Sequence, residues 1–158
     1  MEFFTIGVYN STKEEYFGKL INNRIDTFCD IRQRRGVRGA KYKFVNSKRL
    51  QAHLKELGLN YHHIKSLAPT KEIRNLQKEA DRKTGEKKRS RDRLGVVFID
   101  AYQSKILEEY DFQALLSELE NTGANRVALF CVEEKPEACH RSLVANRLYK
   151  MGYEITHL

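Results

Sequence analysis

The sequence has 158 residues, of which 41% are hydrophobic and 32% are charged, and its formal net charge is +8. This length suits one domain that buries a core without disulfides or metals, and the composition excludes a disordered chain. No stretch approaches the roughly 18 apolar residues that span a bilayer, so no membrane partner is expected. The three cysteines, an odd and sparse set, predict a reducing cytoplasm.

The first half of the chain predicts strands that alternate with helices. A short apolar run over residues 3–8 predicts a buried strand. Ser11 and Thr12 stand three residues before glutamates, which is the pattern of a capped helix start. A second strand is predicted over 25–31, and a loop follows to Asn46. Ser47 is expected to cap a helix that Gly58 stops, before a weaker third strand over 59–64.

The second half continues the alternation after a polar stretch. Residues 71–93 predict either a polar helix or a mobile insertion, and 94–110 predict a helix. Asp111 is expected to cap the next helix. The run 126–132 is the clearest buried strand, Pro136 is expected in the first turn of a helix to about Lys150, and a last strand covers 153–157.

This alternation predicts an α/β fold with three layers: a mostly parallel sheet of about five strands, with helices on both faces. We expect a single α/β domain over residues 1–158, with a basic polar insertion at about 68–93. The sequence does not indicate an oligomeric state.

The positive charge is concentrated in two stretches. Between Arg32 and Arg49 there are eight cations and no acid, and between Lys71 and Arg93 there are ten cations and five acids. Local positive fields attract phosphates and polyanions, so a nucleotide or nucleic acid is the partner expected at both stretches. The alternative is a solvated surface, which the mixed charges of the second stretch favour.

Polar residues follow three of the predicted strands. Tyr9 follows the first, Asp30 and Arg32 end the second, and Glu133 follows the strand over 126–132. Ligands of open parallel sheets bind beyond the carboxyl ends of the strands. We therefore expect these side chains to line one rim, with Arg32 and Arg38 as anion ligands and Asp30 orienting an arginine.

The segment from Cys131 to Ser142 holds the residues with the most chemistry. The sequence indicates that Cys139, His140 and Arg141 lie within the first turn or so of a helix that begins near Glu137, where free N–H groups favour an anion. Arg141 is expected either to bind that anion or to pair with an acid and hold the loop.

Glu133 and His140 are the candidates for acid–base catalysis, each with a purely structural alternative. Cys139 is a candidate ligand contact and, less readily, a nucleophile, because a cysteine at a helix N-terminus can have a lowered pKa.

The same segment predicts no metal site and no cofactor. Cysteine and histidine are zinc ligands, but seven residues separate Cys131 from Cys139. The side chains of Cys139 and His140 are expected to diverge on a helix, and no fourth ligand is evident nearby.

Several short motifs resemble those of the domain-of-unknown-function 488 family. They are Thr5-Ile6-Gly7, Asp30-Ile31-Arg32, Phe44-Val45-Asn46, Leu57 to Tyr61, Cys131-Val132-Glu133, Cys139-His140-Arg141 and His157. The His-Ser that usually follows the first motif is absent here. The resemblance implies an α/β fold with a polar pocket built from the Asp-x-Arg, Cys-x-Glu and Cys-His-Arg elements. It also implies that Tyr102 matches a tyrosine on the middle helix, which makes it a candidate ligand contact.

Three functions are consistent with these patterns, one of which is a cysteine-dependent enzyme that uses Cys139. The leading hypothesis is a protein that binds a phosphate-bearing ligand, a nucleotide or nucleic acid, and acts on it by acid–base chemistry as a hydrolase or transferase. The alternative is a non-catalytic nucleic-acid-binding or adaptor domain, in which the acids and arginines only shape the loops. An open pocket favours the first, and a fully paired network with little cavity favours the second.

Overall fold

The computed structural model describes residues 1–88 and 90–158, whose strands form one sheet. The strands are β1 Glu2–Ile6, β2 Thr27–Asp30, β3 Asn60–His63, β4 Arg126–Phe130 and β5 Glu154–His157. They lie in the order β3-β2-β4-β1-β5, and every neighbouring pair is parallel. The predicted α/β class, with a largely parallel sheet of about five strands, is confirmed.

The α-helices connect these strands. They are α1 Lys13–Asn22, α2 Ser47–Glu56, α3 Lys71–Thr84, α4 Val96–Tyr102, α5 Phe112–Asn121 and α6 His140–Lys150. Residues 71–93, for which the sequence predicts either a polar helix or a mobile insertion, therefore contain a helix, α3. Within the described part of the chain, no helix is long and apolar enough to cross a membrane.

The helices cover both faces of the sheet. Apolar residues of α1 and α2 pack with Phe28 and Phe130 on one face, and those of α3 to α6 pack with Cys29 and Leu129 on the other. Central parallel strands covered on both faces have continuous apolar runs, and residues 127–130 of β4 are fully buried. The predicted three-layer arrangement follows from these two clusters.

Two helix boundaries differ from the prediction. Asn46 occupies the cap position of α2, so Ser47 is its first helical residue rather than its cap. The helix expected over 94–110 consists of α4 and a π-helical turn, Gln103–Leu107. By contrast, the capping box at the start of α1 is present, with Thr12 and Glu15 bonded reciprocally.

The strand order places a topological switch point between β2 and β4. The chain leaves β2 through α2 toward β3 at one edge, and it leaves β4 through α6 toward β5 at the other edge. Because α2 and α6 contribute side chains to opposite core clusters, the two connections separate above the sheet. Such a point is where open α/β sheets form a ligand crevice.

Candidate functional site

A pocket of about 520 Å³ lies at the switch point. It is lined by the loop after β2, the loop after β4, the start of α6, and residues of α3 and of the segment that follows it. This volume is typical of small-molecule sites. Cationic side chains dominate its charged lining: Arg32, Arg34, Arg38, Arg74, Lys78, Lys88 and Arg91.

Four buried polar side chains from the loop after β4 and the start of α6 contribute to the same lining: Cys131, Glu133, Cys139 and His140. The Cys131 thiol donates to Glu133 Oε2 over 3.2 Å. His140 Nδ1 lies 3.9 Å from Cys131 Sγ and 3.8 Å from Cys139 Sγ, and His140 Nε2 lies 3.0 Å from the carbonyl oxygen of Ile31. A carbonyl only accepts, so Nε2 carries a proton and holds the ring between β2 and α6.

The expectation that the Cys139 and His140 side chains diverge on a helix is wrong. Pro136 starts a short 3-10 turn, Pro136–Ala138, which ends when the Cys139 N–H bonds the Pro136 carbonyl. Cys139 then adopts an extended conformation, φ −138° and ψ 143°, as the N-cap of α6. The helix therefore begins at His140 and not near Glu137, and Cys139, lying outside it, places its sulfur beside the His140 ring.

The electrostatics of this cluster favour an ionised thiol. Burial and then the Cys139 charge raise the pKa of the Glu133 carboxyl. Although burial alone would raise the pKa of Cys139, its interaction with Cys131 and the charge of His140 bring it well below the ordinary value. The pKa of His140 is raised because interactions with Cys139 outweigh burial. The Cys139 site thus combines a helix N-terminus with a histidine whose protonated form is favoured, the setting that stabilises a thiolate.

Asp30 and Arg32 form a buried ion pair beside the pocket. Arg32 Nη2 lies 2.7 Å from Asp30 Oδ2, and Arg32 Nε lies 2.8 Å from Asp30 Oδ1. Arg32 also donates to the Val45 carbonyl, while the Tyr61 hydroxyl donates to Asp30 and His63 contacts the Arg32 carbonyl. Arg32 lines the pocket and Asp30 does not, so the role of Asp30 is to orient an arginine of the pocket lining.

Arg141 lies behind the pocket rather than in its lining. Its side chain is fully buried and donates to the backbone carbonyls of Glu133 (2.5 Å) and Glu134 (2.7 Å). These bonds run to the backbone of the loop after β4, and neither goes to a carboxylate. The sequence predicted that Arg141 either contacts an anion or pairs with an acid. The observed contacts differ from both, because Arg141 holds the loop through the loop's backbone carbonyls.

Of the three remaining candidate ligand contacts, Tyr9 and Arg38 line the pocket and Tyr102 does not. Tyr9 lines the pocket and packs against Tyr42, with ring centroids 5.3 Å apart. Arg38 lines the pocket and is exposed. Tyr102 is outside the lining; its hydroxyl donates to the Leu67 carbonyl over 2.5 Å, and its ring lies 5.5 Å from that of His140.

The segment after α3 supplies charged residues that the sequence did not single out. Arg91 is buried, pairs with Asp81 at 2.8 Å, approaches Glu133 at 3.5 Å and donates to the Ala138 carbonyl. Lys88 also lies 3.5 Å from Glu133. In the sequence these cations stand among many others without a distinctive spacing, and only the packing of this segment against the loop after β4 distinguishes them.

Gly7 is a further residue that the sequence did not mark as part of the site. A Cβ on Gly7 would lie 2.0 Å from the Glu133 carbonyl oxygen and 3.1 Å from Arg141 Nη2. Only glycine allows the end of β1 to come this close to the loop that carries Glu133. The available signal was a glycine directly after a strand, which often marks a close backbone approach.

Comparison with known proteins agrees with the resemblance drawn from the motifs. The family model for the domain of unknown function DUF488 matches residues 12–148, which is most of the chain. No curated protein and no solved structure significantly matches it.

Proposed function

Because this chain belongs to the domain of unknown function DUF488 family, whose name carries no activity, its function has to be argued from the site, and we propose that the pocket binds a phosphate-bearing ligand of nucleotide size. The observation that supports this proposal is the excess of positive charge in the pocket lining. Among the described residues, seven cations line the pocket against two carboxylates, Asp81 and Glu133.

Several of the cations in the lining are exposed, so a ligand that enters the pocket can reach them. Arg34, Arg38 and Lys78 are exposed and come from two elements that line the pocket, two from the loop after β2 and one from α3. A concave site lined mainly by one sign of charge concentrates its field and attracts counter-ions. Arginine side chains also match the geometry of phosphate oxygens. The two basic stretches of the sequence therefore contribute to one anion site.

The rest of the lining favours a nucleotide over inorganic phosphate alone. Val37, Leu94 and Phe98 give the pocket an apolar wall. Small-molecule sites combine such walls with a few polar groups that fix orientation. A ligand with a planar apolar part and an anionic part would use both features, and the terminus of a nucleic-acid strand shares this chemistry.

Glu133 is the group in the proposal that transfers a proton to or from the ligand. It lines the pocket, is almost fully buried, and is approached by Lys88 and Arg91 at 3.5 Å. A carboxylate so placed serves as a general base or acid if a bound ligand comes within hydrogen-bond reach. In this proposal Asp30 is a positioning residue, because it holds Arg32 and does not line the pocket.

The test is equilibrium binding of nucleoside mono-, di- and triphosphates and short oligonucleotides at increasing salt. Binding should weaken with salt because the contacts are ionic. Arg38→Ala and Lys78→Ala should each weaken binding about tenfold, the effect of losing roughly 1.4 kcal/mol of charge-assisted contact. Glu133→Gln should bind the ligand and abolish any turnover.

Arg49→Ala is the matched control. Arg49 belongs to the same basic stretch as Arg38 and is equally exposed, but it does not line the pocket. We expect it to leave nucleotide binding unchanged. Equal loss in Arg38→Ala and Arg49→Ala would indicate a diffuse basic surface, as in the adaptor alternative, and absent or salt-independent binding would refute the proposal.

A further inference from the structure

Three potential metal ligands converge at the pocket. The sulfurs of Cys131 and Cys139 and Nδ1 of His140 all lie within 4.8 Å of one another, and all three residues are buried. With Zn–S about 2.3 Å and Zn–N about 2.0 Å, two tetrahedral ligands of one zinc ion lie roughly 3.6–3.8 Å apart. The distances from His140 Nδ1 to the two sulfurs, 3.8 and 3.9 Å, are close to that spacing.

The His140 ring is held in the orientation that metal binding requires. Its Nε2–H donates to the Ile31 carbonyl, so the nitrogen on the opposite side, Nδ1, faces the two sulfurs. Metal-bound histidines almost always donate their other ring N–H to a carbonyl, a carboxylate or water, which fixes the tautomer and the ring plane. The Ile31 carbonyl, at the end of β2, is such a partner.

The surroundings suit a cation bound by thiolates. Cys139 is the N-cap of α6, where the free N–H groups of the helix stabilise negative charge. A metal ion deprotonates a coordinating thiol outright, so the buried Cys131 can act as a ligand as well. Glu133 Oε2, 3.2 Å from Cys131 Sγ, lies next to this triangle of ligand atoms on the pocket lining.

We propose that Cys131 Sγ, Cys139 Sγ and His140 Nδ1 bind one Zn²⁺ ion, whose remaining coordination position faces the pocket beside Glu133. Two sulfurs and one imidazole nitrogen select zinc over magnesium or calcium, which take oxygen ligands. Three protein ligands with an open fourth position is the arrangement of catalytic rather than structural zinc. The proposal does not depend on the phosphate-bearing ligand.

The first test is a titration of the reduced, metal-free protein with Co²⁺, followed in the near-ultraviolet and visible. One Co²⁺ per chain should bind, with thiolate-to-cobalt charge-transfer absorption and the intense visible bands of a tetrahedral site, and Zn²⁺ should displace it. Cys131→Ser and Cys139→Ser should each remove about half of the charge-transfer intensity. Each should also weaken metal binding by more than the ~10–100-fold typical of losing an outer-shell partner.

Cys29→Ser is the control for these variants. Cys29 is as buried as the other two cysteines but packs in the core cluster on the opposite face of the sheet. It should keep the full cobalt spectrum because the Cys131 and Cys139 thiolates both remain. The absence of these bands from the unmodified protein, or their persistence in both Cys131→Ser and Cys139→Ser, would overturn the assignment.

A second measurement uses the unmodified chain and does not rely on folded variants. Alkylation of each cysteine is followed by mass spectrometry with zinc bound and after zinc is removed with a chelator. Zinc should slow alkylation of Cys131 and Cys139 at least tenfold and leave Cys29 unaffected. Equal rates with and without zinc at Cys131 and Cys139 would refute the site.

Discussion

At the scale of single residues, the site depends on side chains that hold other groups in place. Asp30 fixes Arg32, and Arg91 connects α3 to the loop after β4 through Asp81 and Glu133. Buried charges are tolerated only when they are paired and hydrogen-bonded. Removing one partner of such a buried pair should therefore cost more stability than removing one partner of an exposed ion pair.

Asp30→Ala tests the buried ion pair. Loss of the carboxylate leaves Arg32 charged, buried and without its bidentate partner, which typically costs about 3–5 kcal/mol in the free energy of unfolding. Denaturant unfolding measures this change. Asp92→Ala, which removes an exposed acid paired with Lys135, is the comparison and should change the midpoint little. A similar small effect of Asp30→Ala would contradict the structural importance of the pair.

Gly7→Ala tests the close approach of β1 to the loop that carries Glu133. The added methyl would overlap the Glu133 carbonyl, so the loop has to move, at a cost of about 1–3 kcal/mol or more. Gly18→Ala is the control, because its Cβ meets nothing within 4 Å and lies in α1. That control should stabilise the protein by up to about 1 kcal/mol. Unchanged stability in Gly7→Ala would mean that the loop is not held against β1.

At the scale of elements, the sequence predicted the strands and most helices because apolar runs and capping residues act locally. It also predicted that Asp30, Arg32 and Glu133 lie on one rim, since they end or follow parallel strands; Arg32 and Glu133 line the pocket, and Asp30 pairs with Arg32 outside the lining. It did not predict that Cys139 lies outside α6, because the extended conformation depends on the 3-10 turn at Pro136. Nor did it assign Lys88 and Arg91 to the site, because their place depends on how the segment after α3 packs against the loop after β4.

Arg141→Met tests how α6 holds the loop after β4. The substitution keeps an apolar stem of similar length but removes the donors to the buried Glu133 carbonyl and to the partly exposed Glu134 carbonyl. The orphaned Glu133 carbonyl costs about 1–3 kcal/mol, and ligand or metal binding at the loop should weaken as well. Lys150→Met, at the exposed end of the same helix, should leave both stability and binding unchanged. Binding retained in full by Arg141→Met would show that the loop keeps its shape without Arg141.

The edge strand β5 provides a pH-dependent contribution. Partial desolvation, and then the charge of Arg141, lower the pKa of His157, whose Nδ1 lies 2.7 Å from the Thr5 hydroxyl. The unfolded chain therefore takes up a proton at higher pH than the folded chain does. This contribution to stability should decrease as the pH falls through about 6.5, the unperturbed value. NMR titration of the His157 ring should give a pKa below that value, and a value above it would contradict the sign.

At the scale of the whole molecule, charge and topology coincide. The strand order creates a crevice between β2 and β4, and residues of the basic stretches after β2 and within and after α3 line the same pocket there. The sequence showed both stretches but not that they meet, because strand order and helix packing arise from long-range contacts. Because residues of both stretches line one pocket, we explain the clustered positive charge by a single small-molecule site rather than by two separate basic surfaces.

The most direct test is a crystal structure of the protein with a bound nucleotide from the tightest-binding member of the panel. We expect its phosphate inside the pocket, within about 2.7–3.2 Å of Arg38 or Lys78, with the rest of the ligand against Phe98 and Leu94 and a reactive atom toward Glu133. A nucleotide bound only on the outer surface near Arg49, with the pocket holding none, would contradict the account.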